Sequence, residues 1–254
     1  MNTDRLRELY GKTSKHSNYQ VLPGRLKALL GDENLETNSR WERERLSCMC
    51  SHCEFGQKMV GDIGGNTGFF TFELIEQGAS EVNYFEGNEH HANFVREAAA
   101  QLNLADQIKV SHGYFSFDEE SLKAIPKMDV LLLLNVLHHV GDDYGDQKMS
   151  IERALEDIAH SLCNVAAVAN TLIFQLGFNW KGDRHLPLFE NGTKSELIEF
   201  VRKASDGIWA VDQIAIPVRE GEEVVYKKQD SENVRRDDAL GEFLNRPLFF
   251  LSRV

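Results

Sequence analysis

The feature that most constrains the fold is a glycine-rich stretch, VGDIGGNTGFF, which covers residues 60–70. The preceding GQKMVGDI is typical of a short buried strand. The following GFFTFELIEQGA places apolar residues at helical spacing and ends near Gly78, which is typical of a helix with a glycine at its C-terminus. The glycines are therefore predicted to form a tight strand-to-helix turn. Such a turn directs free backbone N–H groups at a ligand in front of the sheet.

From Val60 onward, strand patterns alternate with helix patterns, whereas residues 1–56 are predicted to be mainly helical. This alternation predicts a parallel sheet covered on both faces. MDVLLLLNV, which starts at Met128, has the apolar character of a central parallel strand. The predicted strands are 58–63, 81–86, 107–112, 128–135 and 170–176, and the predicted helices are 68–77, 89–102, 118–124, 146–163 and 193–205.

The pattern changes after residue 207, where GIWAVDQIAIPV and RPLFFLSRV both have the pattern of strands and are predicted to pair antiparallel at one edge. The polar residues between them are predicted to run over the surface. We therefore predict an α/β fold, with a doubly wound, mostly parallel seven-stranded sheet and a C-terminal antiparallel edge hairpin. The predicted parts are an N-terminal helical extension or lid at 1–56 and the main domain at 57–254, with substrate-side insertions at 174–196 and 217–246.

Composition restricts the class of protein. The 254 residues are 42% hydrophobic, which supports one sizeable core. No apolar run approaches the roughly 20 residues needed to span a bilayer. The polar N-terminus does not fit a secretory signal, and four cysteines do not make a disulfide framework in a chain this long, so we expect a cytoplasmic location. A net charge of −12 disfavours a general affinity for nucleic acid, and the sequence leaves the oligomeric state open.

Two carboxylates accompany the predicted turn. Asp62 ends the first predicted strand, and Glu86 ends the second. Because the ends of neighbouring parallel strands lie side by side, an acid at the second end can accept hydrogen bonds from both ribose hydroxyls of a nucleoside. The G-x-G-x-x-G spacing of dinucleotide-binding proteins is absent, since positions 66 and 69 are Asn and Phe. A carboxylate before the glycines would repel a pyrophosphate but suits a cation, so the pattern favours a cationic nucleoside.

The stretch DIGGNTG resembles the first motif of class I S-adenosylmethionine-dependent methyltransferases, with Asn66 in place of the middle glycine. Glu86 stands where that family has its ribose-binding acid, and NVLHHV resembles the family's fourth motif. The resemblance covers about residues 58–180 and implies a Rossmann-like fold, S-adenosylmethionine as cofactor and S-adenosylhomocysteine as product. It assigns cofactor binding to Asp62, Gly64, Gly65, Asn66, Gly68, Glu86, Gly87, Tyr114, Phe115 and Asn135.

Two histidines follow the fourth predicted strand. Methyl transfer to an alcohol needs a base that removes the proton, and an imidazole titrates near neutrality. His138 and His139 are the catalytic candidates. Adjacent residues on an extended chain face opposite ways, so at most one of them is expected to face the acceptor, and His139 is favoured. The alternative is that either histidine hydrogen-bonds the backbone and only shapes the site.

The predicted insertion 174–196 mixes aromatic and polar side chains, a combination that suits a sugar. Asn179, Trp180, Lys181 and Arg184 are the substrate-binding candidates in it, and the alternative is a structural loop in which Trp180 packs. N-terminal helices often form lids in the methyltransferase family, which adds Lys15, His16 and Tyr19 as substrate-side candidates.

No metal site is predicted. The cluster CMCSHC holds Cys48, Cys50, His52 and Cys53, but a second ligand pair is missing from the sequence, and Cys50 and Cys53 can simply pack on one helix face. The acidic loop that follows His139 has the composition to bind hydroxyls or a metal, but a solvated helix N-terminus, where Asp is expected, is the favoured interpretation.

The prediction for function is an S-adenosylmethionine-dependent methyltransferase that methylates oxygen in a hydroxyl-rich acceptor, such as a sugar or glycoconjugate. The chain is similar to methyltransferases of surface-polysaccharide biosynthesis, including its ending NRPLFFLSR. One alternative is a tRNA or RNA methyltransferase, for which Arg235 and Arg236 would supply a local basic patch. Another is a non-catalytic S-adenosylmethionine-binding partner of another enzyme.

Overall fold

The structure is a computed structural model that describes residues 3–12, 20–31 and 39–254. The chain divides into two compact units, Met1–Phe115 and Ser116–Val254. The described residues form one mostly parallel sheet of eight strands, so the predicted doubly wound α/β fold is confirmed, although the predicted number of seven strands is too low by one. Within the described ranges, no helix combines the length and the apolar character that crossing a membrane requires.

The first unit contains three parallel strands in the spatial order β3-β2-β1. Among the described residues, three helices precede the first strand, in agreement with the helical pattern predicted there. The elements in chain order are α1 (Thr3–Tyr10), α2 (Gly24–Leu30), α3 (Glu42–His52), β1 (Met59–Ile63), α4 (Phe69–Glu76), β2 (Glu81–Glu86), α5 (Glu89–Gln101) and β3 (Ile108–His112).

Local sequence explains why these elements begin where they do. The last four residues of β1 are all buried, as the apolar pattern around Val60 predicts. Helix α5 starts after Asn88, whose side chain accepts the backbone N–H groups of His90 and His91. Helix α4 follows Gly68, which has a left-handed φ of 82° and supplies no side-chain cap. The first strand and helix therefore leave a turn whose N–H groups need other acceptors.

The second unit has the spatial strand order β4-β5-β8-β6-β7. Strands β4 and β5 are parallel, whereas β8 pairs antiparallel with both β5 and β6. The elements in chain order are α6 (Glu119–Lys123), β4 (Met128–Leu134), α7 (Ile151–Asn164), β5 (Ala169–Gln175), α8 (Lys194–Ser205), β6 (Trp209–Glu220), β7 (Glu223–Lys228) and β8 (Leu248–Arg253), with short 3₁₀ turns at Leu137–His139, Val165–Ala167, Trp180–Gly182, Asp238–Leu240 and Phe243–Asn245.

The additional strand comes from the segment that was predicted as a surface excursion. Strand β6 continues to Glu220, turns at Gly221 with φ 64°, and β7 returns beside it as an antiparallel hairpin. The apolar run in EVVYKK is short and is flanked by charged residues, so the sequence pattern did not predict a strand there. The predicted antiparallel pairing of the two C-terminal strands is confirmed, but β8 lies between β5 and β6, and the edge of the sheet is β7.

Candidate functional site

The glycine turn between β1 and α4 adopts the conformations that its sequence requires. Gly64, Asn66 and Gly68 have φ angles of 74°, 54° and 82°, all in the left-handed region. Asn66 thus takes, at some cost in strain, the conformation that glycine takes more cheaply. Gly65 is required for space, because a Cβ there would lie 2.5 Å from the Tyr84 ring and 2.9 Å from Asp62 Oδ2. The turn is therefore a close-packed backbone cradle over a carboxylate.

Asp62 lies almost fully buried below this turn, with 2% of its surface exposed. Its Oδ2 accepts a hydrogen bond of 2.7 Å from the Thr71 hydroxyl of α4. The pKa of Asp62 is raised to about 6, mainly by burial and also by the nearby Glu86, while the Thr71 hydrogen bond and the Arg45 charge limit this rise. A buried carboxylate that is costly to ionise gains from a cationic ligand, which is the chemistry expected for this position.

Glu86 ends β2 and links the glycine turn to the next helix. Asp62 pairs with Tyr84 in the register of β1 and β2, which puts Glu86 two residues further toward the carboxyl edge. Its Oε2 accepts the Asn66 N–H and its Oε1 accepts the Asn88 N–H, both at 2.8 Å. Each carboxylate oxygen can accept a further hydrogen bond. The side chain is therefore held rigidly in a position from which it can accept ligand hydroxyls.

Tyr114 forms an exposed aromatic surface close to Glu86. It is 57% exposed, and its ring packs so closely on Gly87 that a Cβ at residue 87 would lie 2.3 Å from it. Phe115, the neighbouring candidate, packs edge-on against Phe85 with ring centroids 5.6 Å apart. The structure thus brings the predicted cofactor residues 62–68, 86–87 and 114–115 together in the first unit.

Two residues of this site were missed in the sequence. The Gln20 Oε1 accepts the Phe69 N–H at 3.2 Å and the Thr67 hydroxyl at 3.4 Å, so Gln20 supplies the acceptor that α4 lacks at its start. Arg45 of α3 is 4% exposed and contributes a positive charge to the surroundings of Asp62. Neither residue has a local motif that would reveal it. The predicted candidates Lys15, His16 and Tyr19 lie outside the described residues.

The remaining cofactor candidate, Asn135, lies at the end of β4 in the second unit. Its φ is 60°, its Oδ1 accepts from Arg246 Nη1 at 2.8 Å, and its Nδ2 donates to Gln175 Oε1 at 2.8 Å. Gln175 in turn donates to the Arg246 backbone oxygen at 3.1 Å. The amide of Asn135 thus makes two hydrogen bonds to other side chains of the described residues.

Arg246 and Glu242 extend this network and were not singled out in the sequence. Arg246 Nη2 lies 2.5 Å from Glu242 Oε1, and Glu242 Oε2 accepts from Asn179 Nδ2 at 2.9 Å. Burial raises the pKa of Glu242, but the Arg246 charge and the hydrogen bonds outweigh burial and lower it overall. These contacts bring the segment before β8 to the carboxyl ends of β4 and β5, where ligands bind in open α/β sheets.

The two histidines differ in their surroundings. His138 is 2% exposed, its Nδ1 accepts the Gly177 N–H at 3.3 Å, and its ring leaves no room for a side chain at residue 177. These contacts fit the alternative given for the histidines, in which the ring hydrogen-bonds the backbone and only shapes the site. His139 is 15% exposed at its side chain, with Nδ1 3.7 Å from Asp143 Oδ2.

The premise that these histidines lie on an extended chain is wrong. Leu137–His139 is a 3₁₀ turn, and the two imidazole centroids are 4.3 Å apart. The strand β4 ends at Leu134, three residues before this turn begins. Strand alternation therefore does not decide which ring faces outward, and only the burial and contacts of each ring distinguish them.

The insertion after β5 is tied closely to this histidine turn. Trp180 is 6% exposed and donates its indole N–H to the Val140 oxygen at 2.6 Å, which fits the structural alternative for that residue. Lys181 has a φ of 57°, and its ammonium lies 4.3 Å from the centroid of the Trp180 ring. Arg184 is exposed, with its Nε 3.4 Å from His185 Nε2. Lys181, Arg184 and the Asn179 amide therefore present polar groups around a packed tryptophan.

Potential metal ligands come together at one place in the described part of the chain. One ligand atom each from His139, Asp142 and Asp143 lies within 4.8 Å of the others. The cysteine cluster does not converge in this way among the described residues. Its thiols range from the buried Cys48 to the exposed Cys50.

No protein-family model and no curated protein matches the sequence, but solved structures match the fold. The structure of the bifunctional kinase-methyltransferase WbdD has a TM-score of 0.55 and 15% sequence identity. The alignment covers 97% of this chain and 46% of the WbdD chain. A structure of WbdD with a kinase inhibitor has a TM-score of 0.58 and 16% sequence identity. The alignment covers 97% of this chain and 47% of the WbdD chain. The mitomycin 7-O-methyltransferase MmcR has a TM-score of 0.49 and 17% sequence identity. The alignment covers 84% of this chain and 53% of the MmcR chain.

This chain therefore spans about half the length of these proteins. At such low identity the likeness to WbdD concerns the fold alone. The chain has a Rossmann-like α/β fold of the kind found in methyltransferases.

Proposed function

We propose that this protein is an S-adenosylmethionine-dependent methyltransferase that acts on a hydroxyl-bearing acceptor such as a sugar or glycoconjugate. The observation that carries the proposal is the arrangement of Asp62, the glycine turn and Glu86. A buried acid lies below a turn that has no room for a side chain at residue 65, and a second acid is fixed two residues further along the neighbouring strand. This arrangement suits a nucleoside with a cationic amino-acid end.

The residues present fit this cofactor. Asp62 would hold the ammonium of the amino-acid end, and Glu86 would accept the ribose hydroxyls. The exposed ring of Tyr114 offers a face for the adenine, since aromatic rings stack on bases. The cofactor supplies an activated methyl group on a positively charged sulfur. Most of the acceleration then comes from orientation, which can contribute about 7–11 kcal/mol.

On the acceptor side, His139 is the candidate base. Its imidazole is partly exposed and has the Asp143 carboxylate 3.7 Å from Nδ1, which favours the protonated form that arises when the base takes a proton. His138 is excluded from this part of the proposal because its Nδ1 already accepts the Gly177 N–H in a closed packing. Asn179, Lys181 and Arg184 are proposed to bind the acceptor, in keeping with the aromatic and polar character of their segment.

The proposal is tested first by calorimetric binding of S-adenosylmethionine. Glu86→Ala should weaken binding about 10²–10⁴-fold, because two lost hydrogen bonds to a charged acceptor, at about 1.5–3 kcal/mol each, sum to about 3–6 kcal/mol. Glu89→Ala, three residues away on an exposed position, is the matched control and should bind like the wild type. Equal affinity of Glu86→Ala and wild type would refute the placement of the ribose.

Catalysis is tested by incubating radiolabelled cofactor with fractionated cell extract and identifying the labelled product. His139→Ala should slow turnover on that acceptor while leaving cofactor affinity unchanged, and His160→Ala, an exposed histidine on α7, should do neither. Unchanged turnover in His139→Ala would remove it as the base. Tight cofactor binding without any labelled product would instead favour a non-catalytic cofactor-binding partner.

The RNA alternative gains no support from the second unit. Arg236 of the predicted basic patch is paired with Asp238 and donates to the Gly192 oxygen, so its charge is already engaged. A gel shift with tRNA at several salt concentrations separates the two acceptors, since binding through phosphates weakens steeply with salt. Salt-sensitive binding of tRNA at micromolar protein would reverse this preference.

A further inference from the structure

The side chain of Gln20 lies against the start of α4 and is 9% exposed. Its Oε1 accepts the backbone N–H of Phe69 at 3.2 Å and the hydroxyl of Thr67 at 3.4 Å. A backbone N–H can only donate, so the Gln20 atom that faces Phe69 must be the oxygen. This contact fixes the orientation of the amide, and the nitrogen Nε2 is therefore directed away from Phe69.

The amide nitrogen of Gln20 has no acceptor in the described part of the chain. Both hydrogen bonds of the side chain are made by Oε1, and within residues 3–12, 20–31 and 39–254 Nε2 donates to no group. Buried amide N–H groups are ordinarily hydrogen-bonded, because water is excluded and an unmade bond is costly. A buried donor beside the glycine turn therefore indicates that a ligand supplies the acceptor.

The backbone N–H groups of the glycine turn, residues 64–69, all donate to acceptors of the protein. None of them is left uncommitted for an anion, although free N–H groups were predicted there from the sequence. The Gln20 amide takes up the last of these N–H groups and offers its own donors in their place. The acceptors are the Phe85 oxygen for Gly64 and Gly65, Glu86 Oε2 for Asn66, Asn66 Oδ1 for Thr67, the Gly65 oxygen for Gly68 and Gln20 Oε1 for Phe69.

The amino-acid end of the proposed cofactor carries a carboxylate as well as an ammonium. Asp62, proposed to hold the ammonium, accepts a hydrogen bond of 2.7 Å from Thr71 in the first turn of α4. Gln20 contacts the same turn of the helix at Phe69. The acceptor and the donor that a zwitterionic amino acid needs are thus anchored two residues apart. A neutral amide also suits the carboxylate, because hydrogen bonds to a charged acceptor are strong and the amide adds no charge of its own.

We propose that Gln20 is a further cofactor-binding residue, whose Nε2 donates to the carboxylate of the cofactor's amino-acid end. The inference rests on the proposed function and deepens it, because it assigns the second charged group of that end. Asp62 then holds the ammonium, Glu86 holds the ribose, and Gln20 makes the site selective for a ligand that keeps its carboxylate.

The assignment is tested by calorimetry at pH 8 with S-adenosylmethionine and decarboxylated S-adenosylmethionine, which differ only in the carboxylate. In Gln20→Glu the new carboxylate still accepts the Phe69 N–H, but it has no N–H to donate and repels the carboxylate of the ligand. Affinity for S-adenosylmethionine should fall about 10–100-fold. Affinity for the decarboxylated cofactor should stay unchanged or rise, because that ligand carries only positive charges. Gln77→Glu adds the same charge at an exposed position after α4 and should change neither affinity.

Thermal unfolding distinguishes ligand binding from a merely structural role. Gln20→Glu should keep the Tm of wild type, because a carboxylate at the start of a helix accepts the same N–H and is favoured by the helix dipole. Gln20→Met removes the acceptor and the donor together, so its Tm should fall. It should also lose more affinity for S-adenosylmethionine than for the decarboxylated cofactor, which keeps the test decisive if Gln20→Glu folds poorly.

The outcomes separate this inference from the proposed function. If wild type binds neither ligand, the proposed function fails and the inference fails with it. If wild type binds S-adenosylmethionine but substitution of Gln20 weakens both ligands equally, or neither, the assignment of the carboxylate to Gln20 is overturned while the proposed function stands. A loss of about tenfold or more that is confined to the ligand with the carboxylate supports the assignment.

Discussion

Replacement of Gly65 by alanine tests whether the glycine turn is a close-packed cradle or merely a flexible connection. The added Cβ would lie 2.5 Å from two ring carbons of Tyr84 and 2.9 Å from Asp62 Oδ2. Ordinary carbon–carbon contacts are about 3.5–4.0 Å, so the ring would have to withdraw by about 1 Å. Tyr84 is fully buried and donates its hydroxyl to the Asn66 oxygen, so it cannot withdraw without losing that hydrogen bond.

Overpacking of this kind costs about 1–3 kcal/mol. For a chain of this size we expect the Tm of Gly65→Ala to fall by roughly 3–10 °C, measured by circular dichroism. Gly56→Ala is the matched control, since no atom lies within 4 Å of its added Cβ and its backbone is unstrained, and it should leave the Tm unchanged or raise it slightly.

A double variant identifies the clash as the cause. Tyr84→Leu provides space at the turn, so adding Gly65→Ala to it should cost less than adding Gly65→Ala to wild type. Cofactor affinity should fall in Gly65→Ala, because the displaced ring moves the turn. Wild-type Tm and wild-type affinity in Gly65→Ala would refute the close-packed arrangement and the importance of glycine at this position.

Three further predictions concern stability. The folded pKa of Asp62, about 6, lies above its ordinary value of 3.8, so its contribution to stability is full below about pH 4 and is lost as the pH rises through about 6. Urea unfolding should therefore show wild type losing about 2 kcal/mol relative to Asp62→Asn between pH 4 and pH 7, and a constant difference would contradict this prediction. Trp180→Phe should lower the free energy of unfolding by about 1–3 kcal/mol by leaving the Val140 oxygen without its donor, and an unchanged denaturant midpoint would show that this bond is unimportant. Arg246→Lys should lower the Tm because an ammonium cannot reproduce the planar contacts of the guanidinium, including the one to Glu242, and full recovery by lysine would show that charge alone suffices.

The parts of the site that the sequence predicted are those built by short-range geometry. A strand, a glycine turn and a helix are contiguous in the chain, so Asp62 and the left-handed Asn66 follow from local pattern. Glu86 also follows, because the ends of neighbouring parallel strands must lie side by side.

Other features required contacts between distant segments. Arg246 binds Asn135 across 111 positions, and no local motif predicts which arginine will reach the end of a given strand. Arg45 belongs to a helix that has no sequence signal connecting it with Asp62. The roles of His138 and His139 depend on a 3₁₀ turn and on Gly177, which lies on another segment.

Sequence alone determined the alternation of strands and helices, the position of the glycine turn and the two acids beside it, because backbone sterics and hydrophobic period act within a few residues. Only the tertiary structure decided that β7 pairs at the sheet edge, that Tyr84 fills the space under Gly65, and that a buried arginine acts on Asp62. Burial and electrostatics depend on which surfaces meet, and that is settled by the packing of the whole fold rather than by any single stretch of chain.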